Sequence, residues 1–145
     1  MINGLAHAHS GLRWMLILSL VYAIYVAFTK KDNGKVEAKD KTLFLATFIL
    51  SHIQLMLGIV LYIMEEKYKG FSHMKDAYSR FFAVEHTLGM LIAIALITVG
   101  YLKIKKMTDD SAIFARIGKF YLIALLIILV SIPWPFREAL GGHWF

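Results

Sequence analysis

The sequence predicts an all-α protein, an integral membrane antiparallel four-helix bundle forming a single domain over residues 1–145. Three observations lead there. Hydrophobic residues make up 59% of the chain and mean hydropathy is +0.62, where a soluble domain is about 45–50% apolar. Four apolar segments, 12–29, 43–64, 81–102 and 117–136, each have about the 20 residues needed to cross a hydrocarbon core of roughly 30 Å. The connections between them are short, so consecutive helices are expected to run antiparallel.

The first segment runs from Leu12 to Thr29 and stops at Lys30-Lys31. Met1-Ile2-Asn3-Gly4 carries no basic n-region and no small-residue cleavage signal follows, so this helix is expected to be retained and not removed as a signal peptide. The second, Leu43 to Met64, follows Lys39 and Lys41; the third, Phe81 to Leu102, leads into Lys103, Lys105 and Lys106. In the fourth, Ile117 to Phe136, Pro133 and Pro135 each remove a backbone donor and should bend or end the helix near that point. Trp14, Tyr62, Trp134 and Trp144 fall near segment ends, where amphipathic rings favour the membrane interface.

Charge placement predicts orientation. The first connection holds Lys30, Lys31, Lys35, Lys39 and Lys41, and the third holds Lys103, Lys105, Lys106, Arg116 and Lys119. The positive-inside rule makes both cytoplasmic and places both termini and the middle connection outside. The formal net charge of +6 then reports topology, and nucleic acid is not expected as a partner.

Three histidines, His9, His52 and His86, lie in or at the ends of apolar segments. An imidazole in hydrocarbon needs a partner, and the recurring ones are a metal, a haem iron or a proton path. The chain has no cysteine, which excludes disulfides, iron–sulfur clusters and covalent haem attachment. Depth separates the three. Counted from the basic ends, His9 lies about 31 Å up and His86 about 25 Å up, while His52 lies only about 16 Å up. On parallel helices one and three the side chains of His9 and His86 lean the same way. These two are therefore the expected axial ligands of one haem b, with His52 as the alternative ligand or as a proton-handling or quinone-site group.

Helices one and three should be diagonal, leaving space for a flat macrocycle. Gly89 and Ala93, at i+3 and i+7 from His86, are expected to clear its face for the ring. Arg13, at i+4 from His9, is a candidate propionate partner, and Arg80 and Arg137 are candidates for the second propionate. Two readings of other classes remain: a purely structural accessory subunit, and a divalent-metal site on the outer face using His7, His9, His73 and His143. A helical His7-x-His9 spacing sets those two rings about 200° apart, which disfavours chelation.

The strings His7-Ala8-His9-Ser10-Gly11-Leu12-Arg13-Trp14, Ser51-His52-Ile53-Gln54, Arg80 through Glu85-His86, and Ile132-Pro133-Trp134-Pro135-Phe136-Arg137 resemble small bacterial four-helix membrane proteins described as cytochrome b-like. The likeness extends over nearly the whole chain. The layout is more distantly similar to each half of haem A synthase, where ligands sit on alternate helices, although the glutamate and arginine arrangement of the synthase is not present. The resemblance implies ligands on helices one and three, hence His9 and His86. It implies electron transport in the bacterial inner membrane as a respiratory-chain component, with a lipid-soluble quinone or a redox protein as partner and a larger complex or homo-oligomer as setting.

Overall fold

The computed structural model describes residues 2–140. His143, Trp144 and Phe145 lie outside them. Four long helices, α1 (Ile2–Lys30), α2 (Ala38–Met64), α3 (Ala77–Ile104) and α4 (Asp110–Ser131), are each long and apolar enough to cross a membrane. They form an all-α bundle. α1 packs on α2 and α4, and α3 packs on α2 and α4, so α1 and α3 are diagonal.

Named contacts fix the antiparallel order. The end of α1 meets the start of α2 at Lys30–Asp40, 2.8 Å, while near the start of α1 the His9 carbonyl meets Gln54, 2.9 Å. Tyr62 near the end of α2 donates to the Ala83 carbonyl at the start of α3, 3.3 Å. Ala27 late in α1 lies against Gly118 early in α4. The lysine-rich ends of all four helices therefore share one end of the bundle.

The helix bounds differ from hydropathy in an instructive way. α1 starts ten residues before the expected Leu12 and α4 starts at Asp110, ahead of the expected Ile117. Hydropathy marks the apolar span, but a helix continues past it where backbone groups would otherwise go unbonded. Side-chain caps set two starts: Asp109 accepts from Ser111 N at 3.2 Å and Asp76 from Ser79 N at 2.8 Å. The Asp76 carboxyl is held below the usual carboxylate range by these Ser79 hydrogen bonds, the hydroxyl's first. α4 ends at Ser131, five residues before the expected Phe136, because Pro133 drives Ile132 to an extended conformation, φ −80° and ψ 137°.

Burial follows the helical period in α1, where Leu16, Leu20, Ala23 and Ala27 line the core, and in α4, where Ile117, Tyr121, Ala124 and Ile128 do. α2 is inverted. Its buried residues are Asp40, Phe44, Thr47, Ser51 and Gln54, while Ile49, Ile53, Met56 and Ile63 point outward. That arrangement suits lipid, since tails solvate the isoleucines and hydroxyls bond across helices. Ser19 and Thr47 are 2.5 Å apart across the α1–α2 contact, and Ser51 donates to the Phe48 carbonyl at 2.7 Å. At the lysine-rich end Glu37 meets Lys39 at 2.8 Å and Lys30 at 3.2 Å. Those two ammonium groups, Lys39 first, hold its carboxyl below the usual carboxylate range.

Candidate functional site

Between residues 80 and 86 the third helix changes pitch. Phe81–Glu85 forms a π turn, and the His86 N–H bonds back to the Phe81 carbonyl instead of to residue 82. Such turns occur often at functional sites. This one sets His86 beside Phe81 and Phe82, with ring centroids 5.8 and 6.0 Å away.

The His86 ring is fixed by a neighbouring helix. Its Nδ1 lies 2.7 Å from the Ser131 carbonyl at the last turn of α4. A carbonyl only accepts, so Nδ1 carries the proton and Nε2 keeps its lone pair. Histidines that bind metals commonly have their other nitrogen oriented in this way.

Across the bundle, the ring of His9 lies 6.5 Å from that of His86, centroid to centroid, at an interplanar angle of 70°. Two imidazoles binding one metal through bonds of about 2 Å would have centroids roughly 6 Å apart. The 6.5 Å separation of the pair is close to that value. A Cβ at Gly58 would stand 3.3 Å from Cε1 of the His9 ring and 3.9 Å from its Nδ1, so glycine spares this edge a tight contact. His9 Nδ1 is buried and has no hydrogen-bond partner among the described residues.

His52 is set apart from this pair. Its Nδ1 is 2.8 Å from the Phe48 carbonyl, its Nε2 is 3.4 Å from Thr98 Oγ1, and its ring packs on Phe48 at 4.2 Å. Standing two residues before Gln54, it projects about 200° around α2 from the residue that touches His9. It borders an outward-facing apolar groove with Ile49, Ile53, Met56 and Val60.

The expected arginines divide. Arg80 is engaged with Glu85, Nε to Oε1 2.8 Å, and with the Met74 carbonyl at 3.3 Å. Arg137 lies over the Phe81 ring at 4.9 Å and donates to the Val130 carbonyl at 3.3 Å. It makes no carboxylate contact among the described residues. Arg13 lies 5.3 Å from the Trp14 ring centroid, and Trp14 meets Trp134 at 6.2 Å. Lys67 belongs to the same end: it bonds Tyr78 Oη at 2.6 Å and Glu65 at 3.0 Å and sits over the rings of Tyr78 and Phe82. Burial works against the Lys67 ammonium, but Tyr78 and Glu65 outweigh it and raise its pKa.

Gly89 does not clear space for a ring. It shares the face of His86, as the i+3 spacing requires, but a Cβ there would collide with the Ser131 side chain. Its role in the structure is close α3–α4 contact; Ala93 is fully buried in the core. The outer-face histidines His7 and His73 are exposed, and among the described residues no three His, Cys, Asp or Glu side chains converge as a metal cluster.

Three residues that organise the pair, Gln54, Gly58 and Ser131, carry no obvious label in the sequence. The available signal was the polar stripe Thr47, Ser51, Gln54 at i, i+4 and i+7 of an otherwise apolar segment. Comparison with protein-family models, curated proteins and solved structures found no match to this chain.

Proposed function

We propose that this protein is a membrane b-type cytochrome in which His9 and His86 hold one haem b and pass single electrons. The observation that carries the reading is the facing pair itself: two imidazoles 6.5 Å apart on diagonal helices, one already oriented by a carbonyl on its remote nitrogen. Haem b supplies one-electron redox chemistry when bound. His9 and His86 would be the two protein residues that hold it, and two imidazole ligands suit electron transfer rather than oxygen activation.

The chain's own groups then have distinct tasks. Ser131 fixes the tautomer of His86. Phe81 and Phe82 exclude water from its ring. Arg137 and Arg13 are the cations for the two propionates, since a guanidinium binds a carboxylate bidentately. Arg80 falls to a lesser role because Glu85 already pairs it. His52 borders the lipid-facing groove, which favours a lipid-soluble quinone, with a redox protein as the other class of partner. We place the protein in a bacterial inner membrane, alone, as a homo-oligomer or in a larger respiratory assembly.

A reduced-minus-oxidised spectrum of detergent-purified protein, with a pyridine haemochrome assay, tests the reading. Soret and α bands with one haem b per chain are expected. Absence of both from protein expressed with ample haem would leave the histidines as hydrogen-bonding groups of a structural accessory subunit, and metal analysis would then test the divalent-ion alternative.

The positive-inside rule gives a topology to go with it. Lys35 and Lys106 should be cytoplasmic and Lys69 external. Single-cysteine variants at these positions, treated with an impermeant thiol reagent on intact cells, should react at 69 and stay silent at 35 and 106. Reaction at 35 would invert the protein and move the histidine pair to the inner leaflet.

A further inference from the structure

Two orphaned polar atoms belong to residues that meet across the α1–α2 contact. Gln54 Nε2 donates to the His9 carbonyl at 2.9 Å, while Gln54 Oε1 and His9 Nδ1 are both buried without a partner among the described residues. One is an acceptor and the other is a donor whenever it carries the ring proton. A buried polar group left unmet costs about 1–3 kcal/mol, so satisfying these two complementary groups, by each other or by a shared water, is favoured.

Gln54 itself is only 8% exposed and sits on the polar stripe of α2. One turn further on, Gly58 leaves the edge of the His9 ring free, with Cε1 at 3.3 Å from where a Cβ would stand. Gln54 thus grips His9 by its backbone, and Gly58 gives the ring room. His86 is gripped in the corresponding way by the Ser131 carbonyl, so both rings of the pair would have the remote nitrogen occupied by a neighbouring helix.

We propose that Gln54 is the positioning residue of His9: its Nε2 holds the His9 carbonyl and its Oε1 takes the Nδ1 proton, directly or through one water, leaving Nε2 of the ring to face His86. This rests on the cytochrome reading for its redox consequence but not for the tautomer. A proton held on Nδ1 by an acceptor makes the ring a stronger donor to iron and favours the oxidised state. Its loss favours the reduced state.

The test pairs a spectroscopic and an electrochemical measurement on full-length protein. In 15N-histidine NMR of protein purified without haem, His9, assigned by its disappearance in His9→Ala, should show the Nδ1–H tautomer; Gln54→Leu should shift it toward a mixture and Gln54→Glu should restore it. In haem-loaded protein, Gln54→Leu should shift the one-electron equilibrium about tenfold toward reduced iron, which is 59 mV for a one-electron couple. Gln54→Glu should sit at or below the parent potential. An unchanged His9 tautomer in Gln54→Leu overturns the proposal whatever haem does. If the tautomer responds but no variant, nor the parent, binds haem, the positioning role stands and the cytochrome reading fails.

Discussion

His86→Ala is expected to abolish haem retention and His9→Ala to do nearly the same, while His52→Ala leaves a low-spin six-coordinate spectrum. On the proposed reading each of the first two substitutions would remove one of the two residues that hold the haem, and among the described residues no third metal-ligating side chain joins the pair. His86 also loses its bond to the Ser131 carbonyl, and that acceptor is then left facing a cavity beside Phe81 and Phe82. His52 is held by the Phe48 carbonyl and Thr98 on another face of α2, so its loss unties nothing at the pair. Haem content per chain after purification, read from the haemochrome, checks the ranking. If His52→Ala empties the protein and His9→Ala does not, the ligand comes from α2 and the pairing of α1 with α3 is wrong.

The proximity of His9 to His86 was legible in the sequence because helical rise is fixed. Counting residues from the lysine-rich ends puts His9 and His86 at one level and His52 deeper, and the structure brings the first two rings together. Four apolar spans with short connections gave the bundle for the same reason: in lipid the backbone has few alternatives to helix. What lies opposite each residue was not legible. Gly89 does share a face with His86, yet Ser131 occupies the space beside it, and which helix fills a gap depends on side-chain volumes brought together from distant parts of the chain.

Arg80 illustrates a second limit. Ordinary helical spacing pairs residues at i+3 and i+4, so its ion pair with Glu85 at i+5 is invisible to that rule. The π turn between them supplies the longer repeat. A single wide turn thus gives Arg80 a carboxylate partner within its own helix, while Arg137 lies over Phe81.

Gly89→Ala should damage stability and haem retention together, because Gly89 is where α3 meets the residue that holds His86. The added Cβ would stand 3.0 Å from the Ser131 Cβ and collide with its hydroxyl, and overpacking of this kind costs about 1–3 kcal/mol. Relief requires α4 to move at the residue whose carbonyl holds His86 Nδ1, so haem retention should fall together with thermal stability. Gly4→Ala is the control. A Cβ at Gly4 meets nothing within 4 Å, and alanine in a helix is favoured over glycine by about 0.5–1 kcal/mol, so that variant should melt no lower than the parent. The decisive comparison is Gly89→Ala combined with Ser131→Gly. Removing the Ser131 side chain clears the collision but keeps the backbone carbonyl, so the double variant should recover both melting temperature and haem content relative to Gly89→Ala alone. Recovery of melting temperature without haem would mean that the carbonyl is displaced independently of the clash, and recovery of neither would mean that Gly89 serves something other than the α3–α4 contact.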